Sequence, residues 1–131
     1  MRVVAAEAAD VAVVKVAPLG GVRAALEIAE RIGLPCVVSS AVESSVGLAA
    51  GLALAGALPE LPHACGLGTT SLLAADPVAE PYVPVHGMLP VPDRAPAMIV
   101  GNTDQQASPD RVAWWLDRLT RVLRRVDDVV R

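Results

Sequence analysis

Phenylalanine is absent from this 131-residue sequence, tyrosine occurs once and tryptophan twice. The 53% of residues that are hydrophobic are therefore mostly Ala, Val and Leu, the material of parallel strands covered by helices. Clustered basic charge is missing as well. The formal net charge is -3 and the arginines are dispersed except near the C-terminus, which excludes a partner whose phosphates must be neutralised, so no nucleic acid is expected. Cys36 and Cys65 lie too far apart for a metal-binding pair and sit in apolar runs; they read as buried free thiols of a reducing compartment. No basic-then-apolar leader opens the chain, since Glu7 and Asp10 interrupt the first Val/Ala stretch. The longest uncharged run, residues 44–59, falls short of the roughly 20 apolar residues that span a bilayer. The expectation is a cytoplasmic protein with no membrane partner. A G-x-S-x-G elbow, a Walker loop and a paired-carboxylate motif are all lacking.

Lysine is the scarcest charge. Lys15 is the only one, against ten arginines, and it stands inside the apolar run VAVVKVA, immediately before Pro-Leu-Gly-Gly. An amine can shed and regain a proton where a guanidinium cannot, so a lone amine in such a run is a candidate acid or base. A strand-end lysine that snorkels to water is the competing reading.

The elements around it alternate. Residues 2–9 resemble the tail of a helix, and residues 11–17 a fully covered strand. After Gly20-Gly21 a helix runs to about Ile32, with Arg23, Glu27 and Arg31 paired on its polar side. Gly33 stops it and Pro35 prevents resumption. Residues 36–39 form a second strand ending in Ser39-Ser40. Ser44 can cap an uncharged helix over residues 45–58, and residues 63–67 form a third strand-like piece that ends in Gly66, Leu67, Gly68 and Thr69. A helical turn is expected over residues 71–75. Strand–helix–strand–helix–strand at such intervals is the pattern of successive βαβ units, an α/β fold on a parallel sheet. Residues 76–96 carry six prolines and read as an extended excursion turning at His86-Gly87. Residues 101–107 read as a polar linker. Ser108-Pro109-Asp110 opens a last helix, with an apolar stripe from Val112 to Val130.

In βα folds the reacting groups sit where strands end and loops begin. Here those positions hold Lys15 with Gly20-Gly21, Ser39-Ser40, and Gly66 with Gly68 and Thr69. Gly20 and Gly21 can present backbone N–H groups to an anion, or simply make the tight turn a βα loop needs. Ser39 and Ser40 can donate hydroxyl hydrogen bonds to a substrate oxygen or cap their own loop. Gly66 and Gly68 can admit a ligand close to the backbone or serve sheet geometry. Glu43, at a helix start, and His63 and His86, beside prolines, read as structural.

The segment DVAVVKVAPLGG together with GLPCVVSSAVESSVGLAAG and HACGLGTTSLL resembles the C-terminal part of the actinobacterial o-succinylbenzoate synthases, a family of the enolase superfamily. The likeness covers residues of roughly 5–90, and the WWLDRL helix also fits. It implies a partial (β/α) TIM-type barrel: about the last three βα units in residues 1–75, a Pro-rich return segment in 76–107 and a C-terminal helix in 108–131. The resemblance also implies that Lys15 is catalytic, acting on one face of the substrate. Gly20, Gly21, Ser39, Ser40, Gly66, Leu67, Gly68 and Thr69 would then line the pocket around a small-molecule carboxylate.

The implied reaction is a lyase step of menaquinone biosynthesis, a Mg2+-dependent loss of water through an enediolate. The family's capping domain, its Lys-x-Lys strand and its Asp/Glu/Asp magnesium ligands have no counterpart in these residues, so no metal ligand is assigned. The implied partner is the missing N-terminal part of the barrel, or self-association. An N-succinylamino acid racemase of the same superfamily is the alternative enzyme, and a non-catalytic fragment or split-barrel subunit the alternative of another kind.

Overall fold

The computed structural model describes residues 2–99 and 106–130, which fall into two compact units, Met1–Ile99 and Val100–Arg131. The first unit opens with a short helix α1 (Arg2–Ala5) and then strand β1 (Ala12–Val14). A single helical turn, α2 (Val16–Leu19), leads into α3 (Val22–Ile32). Strand β2 (Cys36–Val38) and helix α4 (Ser45–Ala57) follow.

β1 and β2 pair in parallel, with Ala12 opposite Cys36, Val13 opposite Val37 and Val14 opposite Val38. A third chain segment joins them through one parallel bridge, Ser39 to Gly66. The parallel βαβ order read from the sequence is present, but its strands are shorter than expected. Residues 11–17 are not one strand: Pro18 and Gly20 favour a turn, and the chain coils into α2 directly after Lys15. Residues 63–67 contribute the Gly66 bridge rather than a named strand. The expected turn at 71–75 lies earlier, as a 3-10 turn over Thr69–Leu72.

Side chains of a strand alternate between faces. Val14, Val38 and Cys36 are buried with Ala25 and Ala29 of α3 and with Leu48, Leu52 and Leu54 of α4. Val13, one step along, is 63% exposed. β1 is therefore covered on one face only, which corrects the expectation of a fully covered strand. Burial also pushes the Cys36 thiol above its ordinary range, so Cys36 behaves as a small core hydrophobe. Cys65 is free and half-buried.

Helix α4 was expected to take its cap from Ser44, yet Ser44 makes no side-chain capping bond. Asp76 supplies it instead. Its Oδ2 accepts hydrogen bonds from the Ser45 backbone N–H and from Ser45 Oγ, each at 2.8 Å. Ser45 Oγ in turn accepts from the Tyr82 N–H at 2.9 Å, and Thr70 Oγ1 donates to the Tyr82 carbonyl. The Pro-rich stretch is tied to the first turn of α4 in this way. Replacing Asp76 by alanine leaves two donors of the fully buried Ser45 without their acceptor and should lower the unfolding free energy by about 2 kcal/mol. Asp76→Asn, which keeps one amide oxygen, should cost less. Equilibrium denaturation of the two variants measures the difference.

The excursion turns at His86-Gly87 as expected. Val85 and Met88 exchange both backbone bonds across it, and the two central residues have φ of 50° and 75°, the signature of a two-residue hairpin turn. In the second unit, helix α5 (Pro109–Val130) starts where the sequence places it. The Ser108 carbonyl accepts from the Val112 N–H at 3.0 Å. Arg111 and Arg118 lie over the Trp114 ring, and Asp117 pairs with Arg121 one turn on. Residues 101–105 of the expected linker lie outside the described residues. Among the described residues, no helix is long and apolar enough to cross a membrane.

Candidate active site

Continuing the strand register by one residue brings Lys15, Ser39 and Gly66 into a row across three adjacent strand ends. The Ser39 N–H donates to the Val14 carbonyl at 2.9 Å, and the Gly66 N–H donates to the Val38 carbonyl at 2.8 Å. Alternation puts Lys15 on the face of Val13, away from the helices. Its amine is directed along the row. Lys15 Nζ donates to Ser39 Oγ at 2.9 Å and also to the Ser40 carbonyl. An ammonium has three donors, so two are engaged within the chain and one is left for a ligand.

Ser40 is the second anchor. Its hydroxyl is 2.5 Å from Thr69 Oγ1 and accepts from the Val42 N–H at 3.0 Å. Its own N–H donates to the Gly66 carbonyl. The Ser40–Thr69 pair holds two hydroxyl protons and uses one between its oxygens, so one O–H can donate outward. Ser39 differs, because its hydroxyl donates to the Ser40 carbonyl at 3.3 Å while accepting from Lys15. The expectation that both serines donate to a substrate is thus corrected for Ser39, whose proton is already committed.

Two further expectations change. The N–H groups of Gly20 and Gly21 do not point at a ligand. They donate to the Ala17 and Val16 carbonyls at 3.2 and 3.0 Å. Both residues have positive φ, 88° and 121°, so these glycines are required by the tight reversal from α2 into α3. Leu67 is 4% exposed and belongs to the core under α4; a leucine side chain in that position packs rather than binds. Gly68 faces Pro84, whose Cγ would lie 3.1 Å from a Cβ built there. The structure therefore gathers Lys15, Ser39, Ser40, Gly66 and Thr69, and gives Gly20, Gly21, Leu67 and Gly68 supporting positions.

Nothing local in the sequence links Asp76 to residue 45, whose N–H and hydroxyl it accepts from. Glu43, read as structural, has its Oε2 accept from the Ala41 N–H at 2.6 Å. Among the described residues no three His, Cys, Asp or Glu side chains are grouped to hold a metal ion.

Residues 1–96 match the family model described as enolase C-terminal domain-like. The o-succinylbenzoate synthase of Thermobifida fusca is 71% identical over 91 residues, which cover 70% of this chain and 29% of that protein. The o-succinylbenzoate synthase of Mycobacterium tuberculosis is 56% identical over 123 residues, 91% of this chain and 36% of that one. The chain thus spans about a third of the length of the curated relatives it matches. Among solved structures, muconate lactonizing enzyme from Pseudomonas putida superposes with a TM-score of 0.63 at 31% identity, covering 72% of this chain and 27% of the other. Both the short parallel ladder with its helices and the sequence itself lead to one assignment: the chain belongs to the enolase C-terminal domain-like family and has the α/β fold of the enolase superfamily.

Proposed function

We propose that this chain supplies one wall of the active site of an o-succinylbenzoate synthase, with residues 1–75 as the barrel part, 76–107 as the return segment and 108–131 as the terminal helix. The single observation that carries the reading is the Lys15 amine, held by Ser39 and the Ser40 carbonyl at the strand ends with one donor unspent. The 71% and 56% identities to o-succinylbenzoate synthases support the substrate class. In this reading Lys15 bears positive charge or moves a proton on one face of a dicarboxylate. The free O–H of the Ser40–Thr69 pair donates to a substrate carboxylate oxygen. Lys15 acts at an uncovered strand face, where the remainder of the barrel would exclude water and strengthen its charge-assisted bonds.

Superfamily membership implies Mg2+, and the described residues do not fit it: no suitable group of hard oxygen ligands exists among them. The metal and its ligands accordingly belong to the remainder of the enzyme, and the function of this chain's residues is binding, orientation and proton transfer.

The test is to join this chain to the remainder of the Thermobifida fusca relative and to assay formation of o-succinylbenzoate with Mg2+ present. Turnover is expected from the joined enzyme and none from the 131-residue chain by itself. Racemisation of N-succinylamino acids without any dehydration would replace the assignment by the racemase reading.

A further inference from the structure

Gly66 has no conformational reason to be glycine. The glycines with positive φ are Gly20, Gly21, Gly33 and Gly87, so the backbone at position 66 is one that alanine adopts freely. What the position lacks is space. A Cβ built on Gly66 would lie 3.2 Å from Ser39 Oγ, against 3.5 Å from Ser39 Cβ and 3.8 Å from Ser39 Cα. Only the hydroxyl oxygen would be crowded, since the two carbons stand at ordinary contact distance. That same oxygen accepts from Lys15 Nζ at 2.9 Å and donates to the Ser40 carbonyl, which Lys15 also engages.

We propose that Gly66 is a positioning residue for Lys15: the missing Cβ is a notch that seats the Ser39 hydroxyl, and the seated hydroxyl aims the amine. The inference rests on the reading of Lys15 as the reacting amine, but its geometry does not. Gly66 is fixed for this task from both sides of its peptide group, its N–H bonded to Val38 and its carbonyl to the Ser40 N–H. The notch cannot drift away from Ser39 without breaking the ladder. A methyl group at position 66 forces the hydroxyl to give way by a few tenths of an ångström, and the amine's bond to that acceptor is stretched or broken.

Because Lys15 is the only lysine in the sequence, it reports on itself. Lysine labelled with 13C at Cε gives one side-chain signal from the full 131-residue chain, and acetylation of its amine can be followed as a single event apart from the N-terminus. Gly66→Ala and Ser39→Ala should each move the Lys15 Cε signal in the same direction and raise its acetylation rate by about tenfold, the effect of losing one charge-assisted hydrogen bond. The double variant should match Ser39→Ala alone, because without the hydroxyl there is nothing left for the new methyl to displace.

An unchanged Lys15 signal in Gly66→Ala would overturn the proposal, as would effects of the two substitutions that simply add. Should Gly66→Ala fail to fold, recovery of the fold in the double variant supports the notch, and failure of both variants to fold refutes it. No turnover is read in any of these measurements, so loss of the synthase assignment would leave the result standing, and loss of the notch would leave the assignment standing.

Discussion

Lys15→Ala, introduced into the joined enzyme, is expected to slow dehydration by about 10²- to 10⁴-fold, the range that a positioned acid or base contributes. The residue is half-buried, its amine is fixed by two acceptors, and no second lysine in the chain can replace it. Lys15→Arg separates the two roles open to the amine. A guanidinium keeps the charge but holds its proton. If Lys15 moves a proton, arginine should be about as damaging as alanine. If it contributes charge alone, arginine should recover most of the rate. Dehydration in both variants equal to that of the unsubstituted enzyme would remove Lys15 from the mechanism.

Leu54→Ala should cost about 2–5 kcal/mol of stability, a large share of the roughly 5–15 kcal/mol that holds a domain folded. Leu54 and Leu48 are 0% and 1% exposed, and they pack on a core made, apart from Leu52 and Leu67, of the small Val, Ala and Cys side chains. Such small side chains have few rotamers with which to fill a void, so the cavity should persist rather than collapse. Leu72→Ala is the control. That side chain is 73% exposed, and its loss should change stability by no more than about 0.5 kcal/mol. Denaturant titration of both variants measures the contrast, and equal midpoints would show that α4 is not the support of the sheet.

The parts of this fold that could be read from the sequence are those that obey a local rule. Gly33 ends α3, Ser108-Pro109 begins α5 and His86-Gly87 makes a turn because each depends on the conformation of one or two residues. The convergence of Lys15, Ser39 and Gly66 was also legible, since equal strand–helix periods bring strand ends to one rim. Four things were not. The length of β1 is one, because an apolar run with one lysine reads the same whether it stays extended or coils into α2 after Lys15. The amides of Gly20 and Gly21 looked free because their partners, Ala17 and Val16, are reached only by the reversal the glycines themselves create. Ser44 looked like the cap of α4, and no local pattern shows that an aspartate thirty-one residues downstream of Ser45 takes that place. Leu67 sits in a ligand-like sequence context among glycines, and only its burial shows that it is core.

The Asp76 contact to Ser45 has a consequence for motion. It closes a long loop with one carboxylate, and the backbone bonds it brings with it are few: Tyr82 to Ser45 Oγ, Thr70 to Tyr82 and the Ile99 N–H to Pro77. The strand ladder that carries Lys15 shares none of these partners. The Pro-rich segment can thus open as a cooperative unit of its own, releasing its amides to solvent exchange while the sheet stays protected. Loss of that carboxylate leaves the apolar contacts of Tyr82 and Leu89 with the core in place, so amide exchange should quicken more in the segment than in the ladder.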